Sequence, residues 1–539
     1  MGNWKRIIVL FLVLVCVLGA LTGCGDKTKS DPDRVLRIGT TVANDTFNAT
    51  TAGGAMGRLN YNAFTNAPFL ITNEKGEVLP FFMRSWKSSA DNKSMTFKIA
   101  KGVLWHDGKP VTAEDVKFTF DFLAKQGSIY TKKVVSCDIV DDETLTLTFT
   151  EPSGYAFLAR MANYVHILPK HIWEKVEDNK TYTGEDSAIG CGPYKLVNVD
   201  KDAQISYYEA VDDYFYSDVT VKKVSLHSYS NHDALLMAMK NNEIDAMFDY
   251  SNPLPATMAN SIIGVDNLDP GMSPNQGHNQ LTFGFNKAPT NDVSFRKATA
   301  YALDWKLLST VTAGEYGNIP GWGVVAPSNV GYDSSIPKLA QDKEKAKAIL
   351  DKAGYLDKNG DGFREFPDGR QMDVLISPQF SAAKKPLFLR YAEIIANDLK
   401  AVGVKTHLDE QIISSQEYSS KFIKSGECEL FIGYTTSGKA AYDTAYFYLI
   451  KGFSPGGWPT CDDPEFYAYY SKLMNAMSRQ EYLDSIKAIQ KKNADEVLGL
   501  ALCWDTVFFP YRTDNFKGWI NYPSWGVINN STWFNVKAK

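Results

Sequence analysis

The chain has 539 residues, of which 44% are hydrophobic, 13% aromatic and 22% charged, which excludes a disordered tail, a collagen-like rod and a polytopic membrane protein. Its formal charge is −5, and it becomes −7 once a leader carrying Lys5 and Arg6 but no acid is set aside. A mildly acidic surface argues against sequence-independent attraction to phosphates, so nucleic acid is not an expected partner.

Residues 1–23 read as a signal peptide. Lys5 and Arg6 form a charged start, and the apolar run from Ile7 to Ala20 is long enough for a signal core and short for a membrane span. The run ends in Leu21-Thr22-Gly23-Cys24, which resembles the bacterial lipobox. That resemblance implies cleavage before Cys24 and a thioether-linked diacylglycerol on its sulfur. Residues 24–35 are polar and aperiodic, as expected of a tether between membrane and folded body. The remaining 516 residues suggest two or three domains of ordinary size. Beyond Cys16 and Cys24 lie Cys137, Cys191, Cys428, Cys461 and Cys503, with no C-x-x-C spacing, and most are expected to be buried thiols.

Along the body, Leu36–Thr40, Ser94–Ile99 and Thr144–Phe149 alternate with period two and predict strands. Thr112 three residues before Asp115 predicts a capped helix start ahead of Val116, Phe120 and Leu123. Asp342 predicts another, with Ala346, Ile349, Leu350 and Ala353 on one face and Gly354 as the stop; Ser478 with Glu481 predicts a third, facing inward through Tyr482, Ile486 and Ile489. Helices alternating with short strands indicate an α/β protein without internal repeats.

At Leu104-Trp105-His106-Asp107-Gly108-Lys109-Pro110-Val111-Thr112-Ala113-Glu114-Asp115-Val116 the sequence resembles the family 5 extracellular solute-binding proteins, the peptide and nickel receptors of ABC importers. Ile167-Leu168-Pro169-Lys170-His171, Gly190-Cys191-Gly192-Pro193-Tyr194, Asn242-Glu243-Ile244-Asp245 and Phe295-Arg296-Lys297-Ala298 follow in the family's order. The resemblance implies a type II periplasmic-binding-protein fold, two α/β lobes joined by a hinge, with an extra inserted domain. It assigns 36–62, 186–277 and 505–539 to lobe I, 63–185 to the insertion and 278–504 to lobe II. Trp105, His106, Asp107 and Gly108 are expected to pack a strand-to-turn unit rather than to touch ligand, and Gly192-Pro193 to form a backbone turn.

Two motifs invite other readings. Gly433 to Lys439 has the G-x-x-x-x-G-K spacing of a phosphate loop, but Ala440 stands where a hydroxyl must hold Mg²⁺, and an exported protein meets no ATP. Asp357, Asn359, Asp361 and Asp368 match the oxygen-ligand spacing of an EF-hand calcium loop. A D-x-N-G-D-G turn is also a natural connector, and that is the stronger reading, so no metal or other cofactor is assigned firmly and calcium stays a weak candidate. With seven scattered histidines and neither a G-x-S-x-G elbow nor an H-E-x-x-H helix, no enzyme is expected.

The family's ligand-anchor loop falls on Gly433–Thr444, which implies ligand contacts from Tyr434, Thr435, Thr436, Ser437, Tyr442 and Asp443. In peptide-binding relatives a carboxylate there meets the α-ammonium; here the two ways of counting give Ser437 or Ala440, neither acidic. Trp322 and Trp458, in glycine-rich loops, are further cleft candidates. The expected function is a membrane-anchored receptor that captures peptides in a cleft and delivers them to ABC permease subunits, with oligosaccharides or another neutral solute as the alternative ligand. A monomer is expected, lipid-anchored and facing outward, on a Gram-positive surface or, in a Gram-negative cell, on the periplasmic side.

Overall fold

A computed structural model describes residues 33–44, 46–48, 50, 55–128, 130–378, 385–408, 428–435 and 464–539. The alternating segments form strands where their pattern predicts them, at Val35–Thr40, Ser94–Ile99 and Thr144–Phe149. Val35–Thr40 lies in the middle of a seven-stranded sheet whose order is 268–269, 511–512, 246–247, 35–40, 223–228, 205–210, 194–200. It pairs in parallel with Lys223–Ser228, Val35 opposite Lys223, and with Ala246–Met247. Leu36 and Ile38 are fully buried.

Arg37, on the same strand, explains the Asn242-Glu243-Ile244-Asp245 motif. Its guanidinium donates to both oxygens of Asp245 at 2.7 and 2.8 Å and to Asn242 Oδ1 at 2.8 Å. Asp245 has no solvent exposure, so it depends on this bidentate partner and on Asn515 Nδ2 at 2.7 Å.

A second, five-stranded sheet runs 406–408, 374–378, 430–435, 278–283, 499–501. His278–Phe283 is buried throughout and pairs antiparallel with Leu430–Thr435, Asn279 opposite Tyr434. The predicted caps form: Asp342 accepts from the Lys345 amide at 2.9 Å, and Ser478 from the Glu481 amide at 3.2 Å. Arg296 is 4% exposed because it donates to the carbonyls of Thr290, Asn291, Glu496 and Val497, so the Phe295-Arg296-Lys297-Ala298 motif is a splint between helix and loops. Trp305 is buried, its indole N–H bonded to Ala300 O at 2.9 Å.

A four-stranded antiparallel sheet, 83–88, 94–99, 144–149, 134–141, carries the helix Ala113–Lys125. Thr112 N–H and hydroxyl both donate to the Asp115 carboxylate, at 2.8 and 3.0 Å, as the spacing predicts. The core of this unit is continuous with that of the seven-stranded sheet: Phe97, Phe120 and Leu145 belong to one buried cluster with Leu36, Phe64 and Trp533. The five-stranded sheet has its own core, around Leu281, Phe283, Trp305, Ile376 and Tyr391. These two clusters are separate and define two bodies, and a third buried cluster joins Ala156 to Val324, Phe466, Tyr482 and Ile486. Among the described residues no helix is long and apolar enough to cross a membrane; the expected leader and Cys24 lie outside them.

Candidate functional site

The motif Trp105-His106-Asp107-Gly108 is structural. Trp105 is 2% exposed, and its N–H closes a turn onto Lys109 O, for which Gly108 takes φ +86°. The half-buried His106 ring donates from Nε2 to Gly192 O at 3.0 Å, while the Gly190 N–H reaches its Nδ1 at 3.3 Å. Burial pushes its pKa down to about 4, so the ring is neutral and its tautomer is set by these two bonds. A Cβ on Gly190 or Gly192 would stand 2.1 Å from Thr65 O or 2.3 Å from Phe64 O, so the strand can come this close only through glycine. The Trp105 and Gly190 motifs are therefore two halves of one packing joint. Cys191, inside it, is a free buried thiol, as are Cys137 and Cys503, burial raises the pKa of these three to about 12, and Cys428 is buried as well. Cys461 lies outside the described residues.

A candidate binding cavity lies elsewhere, where the two bodies meet. Met272–Pro274 and Thr506–Phe508 cross between them as a two-stranded ribbon, Ser273 opposite Val507. Beside this ribbon is a cavity of about 520 Å³. One wall is the loop Tyr250–Thr257, the floor is Asn275 with Asp505, Thr506 and Val507, and the other wall is Asn279, Val311, Thr312, Ala313, Pro386, Leu387, Arg390 and Tyr434. The volume falls within the range of small-molecule sites.

Each wall is held by bonds beneath it. Asp249, 1% exposed, pairs with Arg58 at 3.0 Å and accepts from Thr41 Oγ1 at 2.9 Å and the Asn252 amide at 3.1 Å, which fixes the turn carrying Tyr250 and Ser251. The Tyr250 ring stacks on Trp525 with centroids 4.4 Å apart. On the facing wall the Tyr391 hydroxyl bonds Asn279 Nδ2 at 3.1 Å and the Thr312 hydroxyl. Burial raises the Tyr391 pKa, so this hydroxyl stays protonated. The other amide atom, Asn279 Oδ1, is buried with no donor among the described residues, and so offers a ligand N–H or O–H an acceptor.

Asp505 is the acidic lining residue. Asn275 Nδ2 donates to its Oδ1 at 2.8 Å, fixing the carboxylate at the hinge. Arg390, on the helix Lys385–Lys400, is the basic lining residue; its side chain is half exposed and meets Glu393 at 3.0 Å, a surface pair weak enough to yield to a ligand. One cleft thus presents an anion at its floor and a cation on its wall, with an unfilled amide acceptor.

Of the residues expected at the ligand, Tyr434 is in this cavity. Thr435 continues its strand, opposite His278, and its side chain lies outside the described residues, as do Thr436, Ser437, Tyr442, Asp443 and Trp458. Trp322 is not a lining residue: its ring packs edge-on to Tyr301 at 5.1 Å against the core of the five-stranded body, which corrects its expected place in the cleft. Asp505, Arg390 and Asn279 were not singled out by any motif. Asp505 entered only as a boundary, and the single signal that could have found it is its position where the chain recrosses the hinge.

In the loop that matches the calcium template, Asp357 accepts from the Gly360 and Gly362 amides at 2.7 and 3.0 Å, and Asn359 from the Asp361 amide at 2.8 Å, with Gly360 and Gly362 both at positive φ. Asp368 is a correction: its carboxylate turns to Arg370 Nε at 2.8 Å, and Glu365, not Asp368, joins Asp357 and Asp361.

The family model of bacterial extracellular solute-binding proteins, family 5 (middle region), matches residues 77–458. The dipeptide-binding protein of Escherichia coli is 27% identical over 481 residues, covering 83% of this chain and 84% of that protein. Two solved structures share the fold at 20% identity: AppA of Bacillus subtilis in complex with a nonapeptide, with a TM-score of 0.70 over 94% of this chain and 100% of that one, and a mannohexaose-bound periplasmic oligopeptide-binding protein of Thermotoga maritima, with 0.71 over 95% and 100%. With the two α/β bodies and the hinged cleft, these matches place the chain among the family 5 extracellular solute-binding proteins, the non-enzymatic binding components of ABC importers.

Proposed function

We propose that the protein captures peptides in the cleft between its lobes and delivers them to ABC permease subunits, as a monomer tethered to the outer face of the cell membrane through a diacylglycerol on Cys24. The observation that carries this reading is the presence of Asp505 and Arg390 in one cavity. A peptide has an ammonium and a carboxylate; Asp505 suits the first, and the forked guanidinium of Arg390 suits the second. The buried Asn279 Oδ1, without a donor among the described residues, suits a backbone N–H. Asp505 thus supplies the charge that Ser437 and Ala440 lack. A ligand spanning from the hinge to the opposite wall favours the closed state by its differential contacts and so signals loading to the permease. Two acyl chains on one cysteine suffice for stable anchoring.

Thermal-shift screening of the mature chain against peptide mixtures and oligosaccharides tests the ligand class. Peptides are expected to raise the melting temperature; stabilisation by oligosaccharides alone would overturn the peptide reading in favour of the neutral-solute one. For the anchor, Cys24→Ala is expected to move the protein from the membrane fraction to the soluble fraction, and unchanged membrane retention would contradict it.

A further inference from the structure

We infer that the loop 357–365 is a divalent cation site of calcium type, built on Asp357, Asn359, Asp361 and Glu365. Ligand oxygens of Asp357, Asp361 and Glu365 lie within 4.8 Å of one another. That closeness lets the three carboxylates share one ion, and the all-oxygen set described next is of the calcium kind. Three carboxylates drawn together repel one another unless a cation sits among them.

Glu365 supplies the independent observation. It is 4% exposed, and its two oxygens differ: Oε2 accepts the Lys358 amide at 2.7 Å, whereas Oε1 is buried with no donor among the described residues. An acceptor-only group buried beside two further carboxylates needs a cation rather than another carboxylate. Taking Asp357 as position one, Asn359 is three, Asp361 five, the Phe363 backbone carbonyl seven and Glu365 nine, so the chain offers an all-oxygen set at every second residue. The loop is anchored from behind by Arg364, 8% exposed, which bonds Asp351, Tyr355 O and Val402 O. An ion here would clamp the connector between the helix Lys343–Lys352 and the strand Val374–Pro378, independently of the cleft.

Calorimetric titration of the chelator-stripped mature chain with calcium chloride tests this. One saturable site per chain is expected, in the range of about 10⁻⁴–10⁻³ M typical of extracellular modules. Glu365→Gln and Asp361→Asn are each expected to weaken it at least tenfold, with Asp368→Asn matching wild type. Absence of saturable binding, or wild-type affinity in both of the first two variants, overturns the site. Should Glu365→Gln fail to fold by circular dichroism, the exposed Asp361→Asn decides by the same criterion.

Discussion

The joint around Trp105 and the cleft around Asp505 are opposites. The joint is written in two short runs of neighbouring residues: Trp105 fills the core and Gly108 turns the chain in one, and from it His106 clamps Gly190 and Gly192 in the other. The cleft is assembled from a hinge aspartate, a helix arginine and a strand asparagine that no sequence window contains together. The most recognisable motif of the chain thus holds the scaffold, and the charged residues of the cavity, Asp505 and Arg390, belong to no recognisable motif. Local packing demands fixed residue types at fixed spacing, whereas a cleft demands only that its walls converge in space.

The same contrast explains what could be read before the fold was known. Ser94–Ile99 and Thr144–Phe149 alternate because one face of their sheet is buried, so their bounds follow from period alone. Asp342 and Ser478 announce helices because a cap acts on amides two or three residues away. Asp505 and Arg390 line one cavity only because the long stretch of chain between them folds back on itself, and the Asn275 bond that orients Asp505 is equally non-local. Trp322 was misread because a glycine-rich surround marks a loop without saying which way the ring turns, and it turns to Tyr301. The twelve-residue template pointed to Asp368, but Arg370 beside it is the nearer charge.

If joint and cleft are separable, perturbing one leaves the other's property untouched. The largest effect is expected for Trp105→Ala, a loss of about 3–5 kcal/mol of unfolding free energy from the buried cavity, read by urea denaturation, with solute affinity unchanged. Next is acid. His106 in the folded state sits at about 4, below its ordinary 6.5, so the unfolded chain binds the extra proton between these values. Stability is therefore retained above about pH 6.5 and lost as pH falls to about 4, by up to about 3 kcal/mol from this group. His227, with a pKa near 4, adds in the same direction, so urea midpoints at pH 7 and 4.5 should differ, and less so in His106→Gln. Third, Asp505→Asn is expected to weaken peptide binding at least tenfold, about 1.4 kcal/mol, while the urea midpoint stays in place. The smallest is Asp342→Ala, which removes a helix cap remote from both regions and should cost about 1 kcal/mol of stability with no change in affinity.

The central claim is that a carboxylate at the hinge receives a ligand's ammonium. Isothermal calorimetry on the mature wild-type chain, comparing a bound peptide that has a free amino terminus with the same peptide N-acetylated, tests it most directly. At least tenfold weaker binding of the acetylated form is predicted, and equal affinity of the two would contradict it.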